Sequence, residues 1–592
     1  MCGIVGYIGE KSAKEILVSG LKNLEYRGYD SSGIALKNHD NIEVIKSVGK
    51  IKKLEEKLEK ENLDLYKIGI AHTRWATHGE ANLVNAHPHT VGKVTIVHNG
   101  IIENAKELKD ELISQGVNFN SETDTEVIAA LINKYLENDI IKTLTKVMSI
   151  LKGSYALGIM IEKVVDKIYV AKKDSPLVIG IGEGENFFAS DITAINMFTN
   201  KFVFLDDYDI AEVEKENIKF YKDCKKVEKE VNTINIDVNS KSKNGYPHYM
   251  LKEINEEPIV LEKTLKPYLD DFSSIPDISK YDEIHIVACG SAMYAGMIGK
   301  TLFEEKANTK AICEVASEYR YKNNIYNNKT LVILISQSGE TADTIAALKR
   351  AKELGQDTLA IVNVKTSTIA RLADKVLYIE AGEEIAVATT KAYLLQVAVI
   401  SLLALKLAYS KNLIDNIDIY LNEFKTIPKL VKNIIDREND YKKIANEIYK
   451  CQDIFFIGRR LDYAICLEGS LKLKEVSYIH SEAYPSGELK HGTISLIDEG
   501  IPVFGIITDE ELKEKSISNI IEVESRGAKA IIIAKKSLKL GRDLEVLVDD
   551  VSSFTIALLV VPVLQLIAYH TAVNRGCDVD KPKNLAKSVT VE

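Results

Sequence analysis

A cysteine directly follows the initiator methionine, in Met1-Cys2-Gly3-Ile4-Val5-Gly6. Removal of Met1 would place the Cys2 thiol and a free α-amine on one residue. A thiol titrates near about 8.5 and an α-amine near about 7.7–8.0, so the amine can take the thiol's proton close to neutral pH, directly or through one water. Such a residue is nucleophile and base at once and needs no separate histidine. Position alone fits a small buried residue in a first strand equally well. Three further stretches bear on the choice. LEYRGYDSSG (24–33) sets Arg27, Gly28 and Asp30 in a tight turn, AHTRWATHGE (71–80) holds Trp75, the only tryptophan, and HNGIIEN (98–104) puts Asn99 and Gly100 at the end of an apolar strand. An amide and a glycine N–H at a strand end can face a developing oxyanion.

A second chemistry is written in ISQSGETADT (335–344), where Ser336, Gln337, Ser338 and Thr341 gather between an apolar strand and a helix, with Gly339 allowing a tight turn. Hydroxyls, backbone N–H groups and a helix N-terminus suit a phosphate. Ordinary capping needs only one such hydroxyl. There is no GxxxxGK[ST], so a nucleoside-triphosphate loop is not indicated. In LEGSLKLKEVSYIHSEAYPSGELKHG (467–492), Lys472, Lys474 and Glu475 fall on one helix, a pattern more often that of a solvated face. Five of the eleven histidines (His72, His78, His87, His89, His98) lie close together, but their spacings are not those of zinc sites and no CxxC accompanies them, so no metal is expected.

These residues sit in a chain of 592 residues with 46% hydrophobic and 27% charged residues, which is the composition of a globular protein able to bury large cores. With 76 Lys and Arg against 86 Asp and Glu, the net charge of −10 disfavours a general nucleic-acid binder. Seven scattered cysteines suggest a reducing, cytoplasmic compartment rather than a disulfide framework. No signal peptide is visible. The apolar stretch 554–573 contains Pro562, Gln565 and His570 and reads as a buried core helix rather than a membrane span.

Up to about residue 235, short β-type runs (68–72, 93–100, 154–161) alternate with helical stretches such as 106–116, which predicts an α+β domain. A linker is expected over 236–274. From 275 to 430, continuous apolar runs at 284–292, 331–340, 358–364 and 375–382 alternate with helices, the mark of a parallel sheet covered on both faces. From 440 to 580 the plan repeats, with runs at 453–462, 501–510, 528–537 and 544–550. Matching spacings and a long closing helix in each region indicate a duplicated domain. A short tail, 581–592, follows.

Residues 2–235 resemble the glutaminase domain of the N-terminal-nucleophile, or class II, amidotransferases. The duplicated region resembles the sugar isomerase (SIS) family of phosphosugar-binding domains. With KLKEVSYIH and the tail KPKNLAKSVTVE (581–592), the whole chain resembles the isomerizing glutamine–fructose-6-phosphate aminotransferases. The resemblance implies an αββα α+β fold followed by two doubly wound, flavodoxin-like α/β domains. It implies formation of glucosamine 6-phosphate and glutamate, the first step of amino-sugar biosynthesis, with no cofactor and in a homodimer. By the same resemblance, Cys2 attacks the glutamine carboxamide, Asn99 and Gly100 form the oxyanion hole, and Arg74 and Asp124 hold the α-carboxylate and α-amine. Arg27 and Gly28 line the nucleophile's surroundings, Trp75 gates an enclosed ammonia passage, and Thr77 and His78 belong to the substrate loop. In the sugar site, Glu475 shuttles a proton between C1 and C2, Lys587 forms a Schiff base, and His491 opens the ring from the second subunit. Lys472 and Glu468 assist there. Cys289, Gly290 and Ser291 line the sugar, with Ser336, Gln337, Ser338 and Thr341 on its phosphate, Val387 and Thr389 near its hydroxyls, and Ala586 beside the lysine. Without the resemblance, Lys587 reads as part of a frayed terminus.

The sequence departs from the family's commonest pattern at Thr493, at Ala292 in CGSA, and at Thr389, where a serine is frequent. Asparagine- and phosphoribosyl-type relatives would need an SGGxDS loop or an acidic run before a Thr-Gly-rich loop, and neither is present. A sugar-phosphate sensor without chemistry would not need Cys2, Glu475 and Lys587 together.

Overall fold

The computed structural model describes residues 2–39, 41–75, 79–234, 242–326 and 329–590. Thr77 and His78 lie outside these. The chain divides into two compact units, Met1–Ser240 with Ser588–Glu592, and Lys241–Lys587.

The first unit is built on two antiparallel sheets of eight and seven strands. Gly3–Ile8 lies inside the larger sheet, paired with Ile68–Arg74 on one side and Asn186–Ala189 on the other. Val94–Ile102 pairs with Gly153–Ile161 in the smaller one. The sheets face each other across a core that includes Ile4, Ile70 and Phe188 from one and Val97, Met160 and Val170 from the other. The outer face of the larger sheet packs on helices Ala13–Leu24 and Ile51–Leu58. The outer face of the smaller packs on Ala105–Ser114, Asp124–Lys134 and Ile140–Ile150. Burial on both faces explains why these strands are nearly continuous apolar runs, and it yields the αββα layering.

The second unit holds two five-stranded parallel sheets with one topology. In the first, the strand order is Lys310–Val315, Glu283–Ala288, Thr330–Ser336, Asp357–Val362, Lys375–Tyr378; in the second it is His480–Pro485, Asp453–Gly458, Pro502–Ile507, Lys529–Lys535, Glu545–Val548. The second strand in chain order forms the edge in each, the doubly wound arrangement in which ligands meet the carboxyl ends of the strands. The two long closing helices, Lys391–Ser410 and Ile556–Asn574, are apolar enough to cross a membrane by length and composition, yet 89% and 94% of their most apolar windows are buried inside the protein. Both enter one large core shared by the two repeats.

The segment 236–274, expected as a linker, contains the helix Tyr249–Asp270. Its Met250, Ile254, Leu261 and Leu265 enter the shared core, while the Glu and Lys residues between them hide that spacing in the sequence.

Candidate active sites

In the first unit, the β-strand opened by Gly3 carries Cys2 at its start, beside the end of the strand Ile68–Arg74. The Trp75 N–H donates to Cys2 Sγ at 3.4 Å, and Cys2 Sγ lies 3.5 Å from the Trp75 carbonyl oxygen. Asn99 Nδ2 donates to the Cys2 carbonyl oxygen at 2.9 Å, and Asn99 Oδ1 is buried without a partner. Gly100 follows with φ +145, and a Cβ there would stand 2.1 Å from the Ser154 carbonyl oxygen, so only glycine fits this bend. Burial pushes the Cys2 thiol up, while the Trp75 N–H and the Arg74 guanidinium oppose that shift.

Arg74 is buried, and its guanidinium donates to the carbonyls of Glu80 and Gly79 at 3.1 and 3.2 Å. Asp124, the first residue of its helix, accepts the Ile102 N–H at 2.9 Å. Cys2, Arg74 and Asp124 lie within electrostatic reach of one another. The structure thus gathers one nucleophile, one cation and one anion from separate elements, which is what recognition of an amino-acid zwitterion needs. Arg27 is turned to a buried ion pair with Asp191 at 2.7 Å, and the Gly28 carbonyl accepts from Thr73. Asp191 was not singled out in the sequence.

The histidines form a buried stack. His72 and His87 lie ring on ring at 4.0 Å, His89 meets His87 edge-on, and Thr125 bridges His87 and His98. Burial holds His72 and His87 well below their usual range and His89 down to about 3, so these three rings are neutral packing groups near pH 7.

In the second unit, the helix Leu461–Ser477 buries Lys472 completely between Glu475 at 2.8 Å and Glu468 at 3.4 Å. Burial would lower the Lys472 ammonium, but Glu475 and Glu468 outweigh it and keep it charged. Burial pushes Glu468 up to about 7, with Lys472 opposing and Glu475 adding to the shift. Ser291 Oγ donates to Glu468 at 3.1 Å, joining the first repeat to the second. The expected solvated face is therefore an internal charge cluster. Cys289 caps the helix Gly290–Glu305, with Thr344 Oγ1 at 3.8 Å from its thiol.

The SQSG turn is ordered by its own hydroxyls. Ser336 Oγ accepts the Gly339 N–H at 3.0 Å and lies 3.1 Å from Thr341 Oγ1, and Ser338 Oγ accepts the Glu340 N–H at 3.1 Å. Gly339 has φ +66, and a Cβ there would collide with Ser367. Thr341 precedes the helix Ala342–Glu353, so the turn opens onto a helix N-terminus beside half-buried Gln337.

Lys587 is not frayed. Its side chain is 7% exposed and its ammonium pairs with fully buried Glu384. Thr389 Oγ1 donates to the same carboxylate at 2.8 Å. Val387 donates its N–H to the Asp580 carbonyl at 3.0 Å, tying that loop to the chain shortly before Ala586. Glu384 was missed in the sequence; its one signal is a carboxylate inside the loop AGEEIAVATT (381–390) just ahead of Val387 and Thr389. His491 stands exposed on the turn Glu488–His491, and among the described residues no contact joins it to Lys587 or Glu475.

Comparison with known proteins covers the same ground. The SIS domain family matches residues 277–406 and 447–575, and the glutamine amidotransferase domain family matches 78–197. Proteins named glutamine–fructose-6-phosphate aminotransferase [isomerizing] from Caldanaerobacter subterraneus subsp. tengcongensis and Thermococcus kodakarensis are 48% and 44% identical, over the full length of both chains in each case. The solved C-terminal domain of glucosamine-fructose-6-phosphate aminotransferase from Francisella tularensis is 38% identical and superposes with a TM-score of 0.55, over 58% of this chain and all of that one. With an N-terminal amidotransferase unit, two SIS repeats and end-to-end similarity, this chain belongs to the isomerizing glutamine–fructose-6-phosphate aminotransferase family.

Proposed function

We propose that this chain converts fructose 6-phosphate and glutamine to glucosamine 6-phosphate and glutamate, with Cys2 as the glutaminase nucleophile and Lys587 and Glu475 as the working groups of the sugar site. The observation that carries the sugar half is the burial of Lys587 against Glu384, in the loop that also carries Val387 and Thr389. In the first unit, Cys2 attacks the glutamine carboxamide and forms a thioester, releasing ammonia. Asn99 and Gly100 face the oxyanion, and Arg74 and Asp124 clamp the amino-acid end. In the second, Ser336, Gln337, Ser338 and Thr341 take the phosphate at the helix N-terminus, with Cys289, Gly290, Ser291, Val387, Thr389 and Ala586 around the sugar. Lys587 holds the open ketose as an imine, and Glu475 on its rigid helix moves the proton from C1 to C2. Lys472 and Glu468 fix Glu475 in place. Arg27 and Gly28 line the nucleophile's surroundings, and Trp75 is the gate for the released ammonia.

The assay is formation of glucosamine 6-phosphate from fructose 6-phosphate plus glutamine. No product with intact glutaminase activity would sink the reading, and a Cys2→Ala variant that still aminates with glutamine would sink the nucleophile. Exposed His491 serves the partner's sugar in a homodimer. Mixing His491→Ala with Lys587→Ala protein should then restore roughly a quarter of wild-type activity, since a two-fold dimer of one copy of each keeps one complete site. No restoration would refute the shared site. The seven unpaired cysteines support a reducing, cytoplasmic location.

A further inference from the structure

The surroundings of Lys587 hold more than its mechanism as a Schiff-base lysine uses. The Glu384 carboxylate is fully buried, and each of its oxygens is committed. Oε1 accepts the N–H groups of Thr390 and Ala392 at 3.0 and 3.1 Å, at the start of the helix Lys391–Ser410. Oε2 accepts from Thr389 Oγ1 and from Lys587 Nζ. A second buried carboxyl, Glu253, is capped by the N–H groups of Ile385 and Ala386 in the same loop. Burial and the neighbouring Glu384 push Glu253 up, so it favours its neutral form, whereas Lys587 and the backbone donors hold Glu384 ionised against its burial. The other charges facing this pair are already matched or distant from the ammonium. Lys391 pairs with Glu256 at 2.8 Å, Lys472 with Glu475 and Glu468, and buried Glu257 is pushed well up by its burial. One ammonium and one carboxylate therefore face each other in a closed polar cradle.

An ammonium has no lone pair and cannot add to a carbonyl. Its proton must first go to a base, and in a site shielded from water that base must be local. We infer that Glu384 is the internal proton acceptor and counter-ion of Lys587 during imine formation. The carboxylate takes one proton from the ammonium, and the freed amine pair forms the C–N bond to C2 while the carbonyl pair moves to oxygen. A second amine proton passes to that oxygen. The Glu384 proton then goes to the resulting hydroxyl, which leaves as water as nitrogen donates its pair to form the iminium. Three ammonium protons end as two on water and one on the iminium, and Glu384 is again a carboxylate beside a cation. The inference rests on the reading of Lys587 as the imine-forming lysine.

The test is reductive trapping of the full-length enzyme with fructose 6-phosphate and cyanoborohydride, without glutamine, from about pH 6 to about pH 9, with the adduct located by mass spectrometry. Glu384→Gln retains an oxygen for the Thr390 and Ala392 donors but loses the base. Its trapping rate should fall about a hundredfold near neutral pH and recover toward wild type at the alkaline end, where hydroxide can take the proton before the sugar enters and the site closes. Glu384→Asp should lie between the two and serves alone if Glu384→Gln does not fold. Glutaminase activity should not change. Equal trapping in Glu384→Gln and wild type, or a loss that pH does not rescue, overturns the inference and leaves Glu384 a structural group. Absence of any adduct on Lys587 in the unaltered enzyme overturns the lysine reading itself, and this inference with it.

Discussion

At the tip of the central strand of each parallel sheet the two repeats have taken opposite courses. In the first, Thr330–Ser336 runs into Ser336-Gln337-Ser338-Gly339 ahead of a twelve-residue helix. In the second, Pro502–Ile507 runs into Thr508-Asp509-Glu510-Glu511 ahead of a helix of the same length, Lys513–Glu524. Thr508 spends both its N–H and its hydroxyl on buried Asp462, and the three acids beyond it repel an anion. The repeats differ again at the first helix, where Glu468, Lys472 and Glu475 stand at the places of Ile298, Leu302 and Glu305 in the first. Two copies of one fold thus carry a hydroxyl-rich turn in one repeat and a buried charge cluster in the other, rather than two weak copies of the same arrangement.

That contrast can be broken most forcefully at Lys472. Lys472→Met strands two carboxyls, and denaturant unfolding should show a loss of roughly 3 kcal/mol, Glu468 relieving part of the cost by taking up a proton. The exposed pair Lys352–Asp374 of the first repeat, at 2.7 Å, should yield under about 1 kcal/mol when Lys352→Met is measured the same way. Next in size is the proposed phosphate loop. Ser336→Ala should raise KM for fructose 6-phosphate roughly 10- to 100-fold, the worth of a hydrogen bond to a charged group. Thr508→Ala should leave KM unchanged and lower stability instead; a KM effect there would mean both loops bind sugar phosphate.

Proton linkage is a subtler discriminator. Burial pushes the Asp462 carboxyl up from 3.8 to about 7, against its bonds from Thr508. The folded state then holds a proton that the unfolded chain releases, so stability should fall as pH rises from about 4 to about 7. Between pH 6 and 7 the contribution is below about 1.4 kcal/mol. Asp462→Asn should flatten that slope in thermal melts, and an unchanged slope would place the titration elsewhere. The smallest effect concerns backbone. Gly290 and Arg460 occupy matching positions two residues past their strands, with φ +56 and +50. Gly290→Ala meets nothing within 4 Å, so its cost is the left-handed conformation alone, about 1 kcal/mol. Arg460→Gly should gain a similar amount and lose the exposed pairs to Asp509 and Glu511, netting under about 0.5 kcal/mol.

The strands that the sequence betrays are those buried on both faces, such as Leu331–Ile335 and Ile531–Ala534. The edge strands Lys310–Val315 and His480–Pro485 escaped notice because they carry polar residues that an edge tolerates, whereas the opposite edges, Lys375–Tyr378 and Glu545–Val548, kept short apolar runs that show in the sequence. The chemistry divides similarly. The SQSG turn is local, and its residues are adjacent in the chain. Glu384 and Lys587 are 203 positions apart, and Cys2, Trp75 and Asn99 meet only through strand pairing, so neither grouping can be read from spacing. Lys472 reads as a surface lysine because periodicity cannot tell a solvated helix face from one that is covered by another repeat.

The bond from Ser291 to Glu468 and that from Gln565 Nε2 to the Thr390 carbonyl, 3.2 Å long and buried, both stitch one repeat to the other across the shared core. Neither repeat is therefore self-sufficient: parted from its sibling, each would bare a carboxylate or an amide that is now buried and paired, so the two halves stand or melt together.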